Sequence, residues 1–249
     1  MTEIQRDIDL MGMPLEGVVA YWLSLKKLVG GSRSFKSLEQ EAEFTPEPFV
    51  RHLLELAFAS HLDSSRVREL ALTKGEVVCA TLDRRFDLMR IAVMDVASGE
   101  NPHRTLARMG ARFHALPVEA DRALAYAQEL LRLALEKESS EPFFNVHHRQ
   151  NDDKLLVTLL FYVMLARHHG RIACRPFVPH MGARFFGDAL ALVVDGFDAP
   201  FVRKWMKRHK QVLLEELRGK VRVSVDMCLG IRDRLDYDDL FRVARSHMR

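Results

Sequence analysis

The 249-residue chain is poor in the features that most often announce a function. It has three cysteines, Cys79, Cys174 and Cys228, an odd number set far apart. That excludes a disulfide framework and the close cysteine pairs of a zinc ribbon, and it fits a reducing compartment. Long apolar runs are missing too. The longest, Leu155 to Ala166, has Thr158 inside it and covers only a dozen residues, where a membrane helix needs about 20. The N-terminus carries Thr2, Glu3, Arg6 and Asp7 in place of a basic region followed by an apolar core, so no secretory signal is read. A soluble, cytoplasmic protein is expected. Neither charge dominates: 37 Lys and Arg against 34 Asp and Glu give a net charge of +3, too small by itself to argue for nucleic acid. There is no Gly-x-Ser-x-Gly elbow for a nucleophile. Gly30-Gly31-Ser32 lacks both the lysine-serine ending of a phosphate loop and a strand before it, and reads as a turn.

What is present is helical periodicity on a globular composition, 48% apolar and 29% charged. Val50, Leu53, Leu54, Ala57 and Phe58 form the i, i+3, i+4 stripe of a buried helix face. Leu106, Met109 and Phe113 repeat it. So does Ala120 to Lys137, with Pro117 upstream as a start signal. Asp153 to His169 reads as a helix capped by Asp152 or Asp153 and stopped by Gly170. Asp198 or Ala199 caps a long helix that has Pro200 in its first turn and runs through Leu217. Asp236 to Arg245 closes the chain as a short helix. Val221 to Val225 alternates apolar with polar and fits either helix or strand. The fold class is all-α, a helical bundle. Residues 137–152, polar and holding Ser139, Ser140 and Pro142, read as a linker between an N-terminal module, 1–136, and a C-terminal module, 153–249. Phe143 and Phe144 are expected to dock on the core. A shift of 135 positions aligns Asp63, Val67, Arg68, Val77 and Leu82 with Asp198, Val202, Arg203, Val212 and Leu217. One bundle and two similar tandem modules both remain open.

The run Ala166-Arg167-His168-His169-Gly170, then Ile172 to Cys174, then Val194-Asp195-Gly196-Phe197-Asp198, then Val202-Arg203 resembles the cytoplasmic region of the MotA/TolQ/ExbB proton-channel family. The match covers about Asp153 to Leu217, with an echo over 35–86. Family members carry flanking transmembrane helices, which conduct the ion; no such helices are read here. The resemblance implies a charged surface that meets a motor protein. It places the family's arginine on Arg167, puts Arg175 where a glutamate is usual, and keeps an acid at Glu39. It also allows self-association, since relatives assemble into rings.

The basic stretch Arg203, Lys204, Lys207, Arg208, Lys210 is the sharpest charge feature, with Arg203, Lys207 and Lys210 expected on one helix face. It suits an acidic partner, or nucleic acid in a rival reading. Asp195 and Asp198 flank Gly196 and read as a turn and helix cap, with Gly170 as a helix stop, not as a cation site. A second rival is a metal-dependent hydrolase using His147, His148, His168, His169 and Asp153. Neither histidine pair has the i, i+4 spacing that puts two ligands on one helix face. The expectation is therefore a non-catalytic protein-interaction module without cofactor or metal. Its contact residues would be Arg167, Glu39, Arg175, Arg203, Lys204 and Lys207, and its partner flagellar motor or cell-envelope machinery.

Overall fold

In a computed structural model that describes residues 8–30, 34–136 and 143–248, the chain is all-α, and no strand occurs among those residues. The helices are α1 Leu15–Val29, α2 Lys36–Phe44, α3 Pro48–Leu54, α4 Ser64–Ser98, α5 Pro102–Gly110, α6 Ala120–Leu135, α7 Asp152–His169, α8 Arg184–Val194, α9 Ala199–Arg232 and α10 Tyr237–His247. A π-helical turn, Glu55–Ala59, prolongs α3, and a 3-10 segment, Arg171–His180, follows α7. Val221 to Val225 lies inside α9 with Val221, Val223 and Val225 all buried. Phe113 falls beyond the end of α5, where its ring lies 5.1 Å from the Arg84 guanidinium. No helix of the described residues is long and apolar enough to cross a membrane.

Two compact units divide the chain: Met1–Ala80 with Val212–Arg249, and Thr81–Gln211. This division does not follow the chain-order split at 137–152. α6 and α7, which flank that segment, pack on one another within the second unit. A polar stretch marks a connection between helices, and composition alone does not say whether it joins two cores or lies inside one. Residues 137–142 of the expected linker lie outside the described residues. Phe144 docks as expected, 3% exposed, whereas Phe143 is 62% exposed.

In the first unit the core gathers Trp22, Leu25, Leu38, Phe49, Leu53 and Leu54, none with accessible surface. Gly75 lets α4 approach α9 so closely that a Cβ there would collide with the Val221 side chain. The second unit is built on α7. From Leu155 to Ala166 every residue but Val157 is buried. That explains the chain's longest apolar run: a helix apolar on all sides is a central core helix. The Tyr162 hydroxyl donates to the Phe144 carbonyl at 2.6 Å, so the one polar atom of that ring is satisfied in the core.

Candidate functional site

The residues singled out from sequence in the second half meet around the ends of α7 and α8 and the start of α9, all in the second unit. α7 stops at Gly170, φ +79, whose N–H donates to the Ala166 carbonyl at 2.9 Å. Arg167, one turn before that stop, is engaged: its guanidinium donates to the Gly99 carbonyl at 3.1 Å, at the end of α4. The Glu100 carboxyl beside it is held below the ordinary range, first by the Asn101 backbone N–H and then by the Arg104, Arg108 and Arg167 charges.

Arg175, on the 3-10 segment, pairs with Asp195 at 3.0 Å, both side chains more than half exposed. Such a pair adds little stability. It does give Arg175 an internal acidic partner. Asp195 is also the last residue of the α8 cap. Gly196 follows at φ +97 and donates to the Val193 carbonyl, while Phe197 N–H reaches the Leu192 carbonyl at 3.0 Å. These paired bonds form a Schellman motif, whose left-handed residue is one that glycine supplies without steric cost. Asp198 then accepts the Phe201 N–H at 2.8 Å and caps α9. The turn is short because one helix stop and one helix start share the four residues between Val194 and Ala199.

The consequence is a pair of aromatic rings left outside. Phe197 and Phe201 stack at 5.3 Å and 26°, yet they are 47% and 45% exposed. Ile172, between two arginines whose side chains reach the α8–α9 turn (Arg171 towards Gly196, Arg175 to Asp195), is 65% exposed. Further along α9, Val202 and Met206 are fully buried while Arg203, Lys204, Lys207 and Arg208 point outward. Among the described residues no carboxylate lies within ion-pair distance of these four. Lys210 does not share their surface as its spacing suggested. Its ammonium sits between Asp83 at 2.9 Å and Asp87 at 2.8 Å, with the side chain 16% exposed. Burial raises the Asp87 carboxyl, but Lys210, Arg112 and Arg90 outweigh it and hold the group below its ordinary value. Periodicity placed Lys210 beside Arg203 and Lys207; the two aspartates on α4 draw it aside. Glu39 is exposed on α2 in the first unit and is not part of this grouping.

The histidine and aspartate set of the metal reading does not converge. Asp153 lies in the first turn of α7 and His168 in its last, fifteen residues or about 22 Å apart along the axis. His147 and His148 stack on one another at 4.3 Å. Asp152 is held by Arg84 at 2.7 Å and Arg85 at 2.9 Å. Among the described residues no group of three or more His, Cys, Asp or Glu could hold a metal ion. The Cys174 thiol is pushed up to about 12 by burial, far from a nucleophile's range. A cleft of about 500 Å³ in the second unit is lined mainly by apolar groups, including Phe144, Leu165 and Phe177, with His169 and His180 at its polar side.

Sequence reasoning passed over the stacked pair Phe197 and Phe201. The available signal was that both flank a cap-and-turn motif, where the chain has no core to offer a ring. No protein-family model, characterised protein or solved structure matches this chain.

Proposed function

We propose that this chain is a non-catalytic protein-interaction module that binds an acidic protein surface through the α8–α9 turn. The observation that carries the reading is the exposed Phe197–Phe201 stack beside a row of cations, Arg203, Lys204 and Lys207, with no acid in ion-pair distance among the described residues. Apolar rings exposed next to unpaired charge are the usual makings of a binding centre and its rim. Arg167 and Arg175 have internal partners, Gly99 and Asp195, and only Arg175 is tied to the turn itself. The resemblance to the MotA cytoplasmic region motivates where the partner is sought: flagellar motor or related envelope machinery, in the cytoplasm.

The test replaces Lys204 in the full-length chain with a photo-crosslinking residue, in the native cell. The expected result is a protein adduct, recovered as a motor or envelope component. The adduct is lost in the double variant Phe197→Ser, Phe201→Ser, and Lys207→Glu weakens it. Absence of a protein adduct defeats the proposal. Salt-dependent recovery of DNA instead establishes the nucleic-acid reading of the same basic helix.

A further inference from the structure

Geometric details of the first half recur in the second, each displaced by 135 positions. α4 starts at Ser64 and α9 at Ala199; α5 starts at Pro102 and α10 at Tyr237; α2 starts at Lys36 and the 3-10 segment at Arg171. Asp63 accepts the Arg66 N–H at 3.0 Å, as Asp198 accepts that of Phe201 at 2.8 Å. Asn101 caps α5 and Asp236, 135 positions on, caps α10, the first accepting the His103 N–H and the second the Asp239 N–H one position further along its helix. Leu10 N–H donates to Glu47, and Gly182 N–H to Asn145, so positions 10 and 47 are joined as 145 and 182 are, with donor and acceptor reversed.

The ends of the long helices agree more closely still. α4 ends with Gly99 N–H on the Val96 carbonyl and Glu100 N–H on that of Asp95. α9 ends with Arg234 N–H on the Ile231 carbonyl and Leu235 N–H on that of Gly230. Both are Schellman motifs. Gly99 and Arg234 share φ +63, and Arg234 is the only non-glycine residue at positive φ among the described residues. An arginine adopts that conformation against its own steric preference. The Schellman motif at the end of α9 imposes that conformation at 234, as the one at the end of α4 does at 99, where the residue is glycine.

The compact units do not coincide with these two copies. The first unit joins α1, α2, α3 and the front of α4 to the rear of α9 and α10. The second joins α7, the 3-10 segment, α8 and the front of α9 to the rear of α4 and α5. α10 packs on α1, and its counterpart α5 packs on α7, the counterpart of α1. Within the first unit α4 and α9 run antiparallel, with Ser64 Oγ donating to Asp233 at 2.8 Å and Arg68 paired with Asp226. Within the second unit Lys210 meets Asp87 at 2.8 Å. Shifted by 135, that pair falls on 75 and 222, one position from the Gly75–Val221 contact.

We infer that the chain is two copies of one five-helix module that complete each other by exchange. The rear of the long helix and the last helix of each copy form a docking surface, and its partner is the front of another copy of the same module. Among the described residues α6 has no counterpart.

The exchange predicts a contact by symmetry. Ser64 beside Asp233 implies Ser98 beside Ala199, and Arg68 beside Asp226 implies Ile91 beside Arg203. The test uses the full chain with a protease site inserted after Ser139. Cysteine pairs are placed at 64 and 233, at 98 and 199, and at 91 and 203. After oxidation and cleavage, the fragments should stay joined on a non-reducing denaturing gel for all three pairs. Circular dichroism confirms that each variant keeps the parent helicity. If 64 and 233 hold the fragments together while both 98–199 and 91–203 release them, the exchange is refuted.

Discussion

Position 234 offers a clean measurement of how much backbone strain the second long helix carries. Arg234 sits at φ +63, and its guanidinium lies 5.0 Å from the centre of the Phe35 ring. A left-handed residue with a Cβ costs about 1 kcal/mol more than glycine. The cation–π contact returns about 0.5–1 kcal/mol. Arg234→Gly removes both and is expected to be close to neutral. Arg234→Ala removes the contact and keeps the strain, so it should be less stable than the glycine variant by about 1 kcal/mol, roughly a fivefold change in the unfolded population. The same Gly-to-Ala comparison at Gly99 should give the same difference. Nothing lies within 4 Å of a Cβ built there, so packing does not enter. Urea unfolding of the four proteins reads both differences as midpoint shifts at constant slope. Equal stability of alanine and glycine at 234, or a gain from Gly99→Ala, would refute the strain argument at that position.

Further outcomes follow from the same structure. Removing either cap carboxamide or carboxylate, Asn101→Ala or Asp236→Ala, should cost about 1 kcal/mol each by thermal or urea unfolding; a neutral result at both would show that the caps are replaced by water without loss. Asp87 is held below the ordinary carboxylate range. Its stabilisation is therefore present above the unfolded pKa of about 4 and is lost as pH falls through the lower folded value. Asp87→Asn should flatten the acid limb of the stability profile, and an unchanged limb would sink the assignment. Asp95 runs the other way: burial raises its carboxyl, so its contribution is full below the unfolded pKa and fades as pH rises through the folded one. Cys79, Cys174 and Cys228 are buried with raised thiols. A thiol reagent should label none of them until the chain unfolds; rapid labelling of Cys174 in the native state would contradict the packing of the 3-10 segment.

The long second-half helix was legible because Asp198 and Pro200 are residues with fixed positional meanings at a helix start, and Gly170 at a helix stop. α7 was legible as a helix, although its apolar run said nothing of where the other helices lie. α1, α2 and the full length of α4 were not read. α4 alternates charge and apolar residues without a strong face, because two different packing environments follow one another along it: Gly75 meets Val221, while Asp87 meets Lys210. Local pattern cannot report a partner that lies 123 residues away. The same limit hid the fate of Lys210 and of Arg167. Each was correctly placed on its helix, but the atom that engages it comes from α4 or the residue just beyond its end.

Comparison of the two inferred copies separates what the fold needs from what the surface adds. Buried positions agree: Val67 and Val202, Ala71 and Met206, Leu82 and Leu217 are apolar and covered in both. The surface positions differ. Where the second copy exposes Phe197, Phe201, Lys204 and Lys207, the first has Leu62, Arg66, Glu69 and Leu72. The fold therefore does not require two phenylalanines and two lysines around this turn. The arginine common to both copies is the sharpest case. Arg68 is paired with Asp226. Its counterpart Arg203 has no acid in ion-pair distance among the described residues, and the position equivalent to Asp226 is Ile91. One copy satisfies this guanidinium internally and the other leaves it to solvent beside an aromatic stack. A structural role accounts for the first arrangement but not the second, which is why the proposed binding surface is placed on the second copy alone.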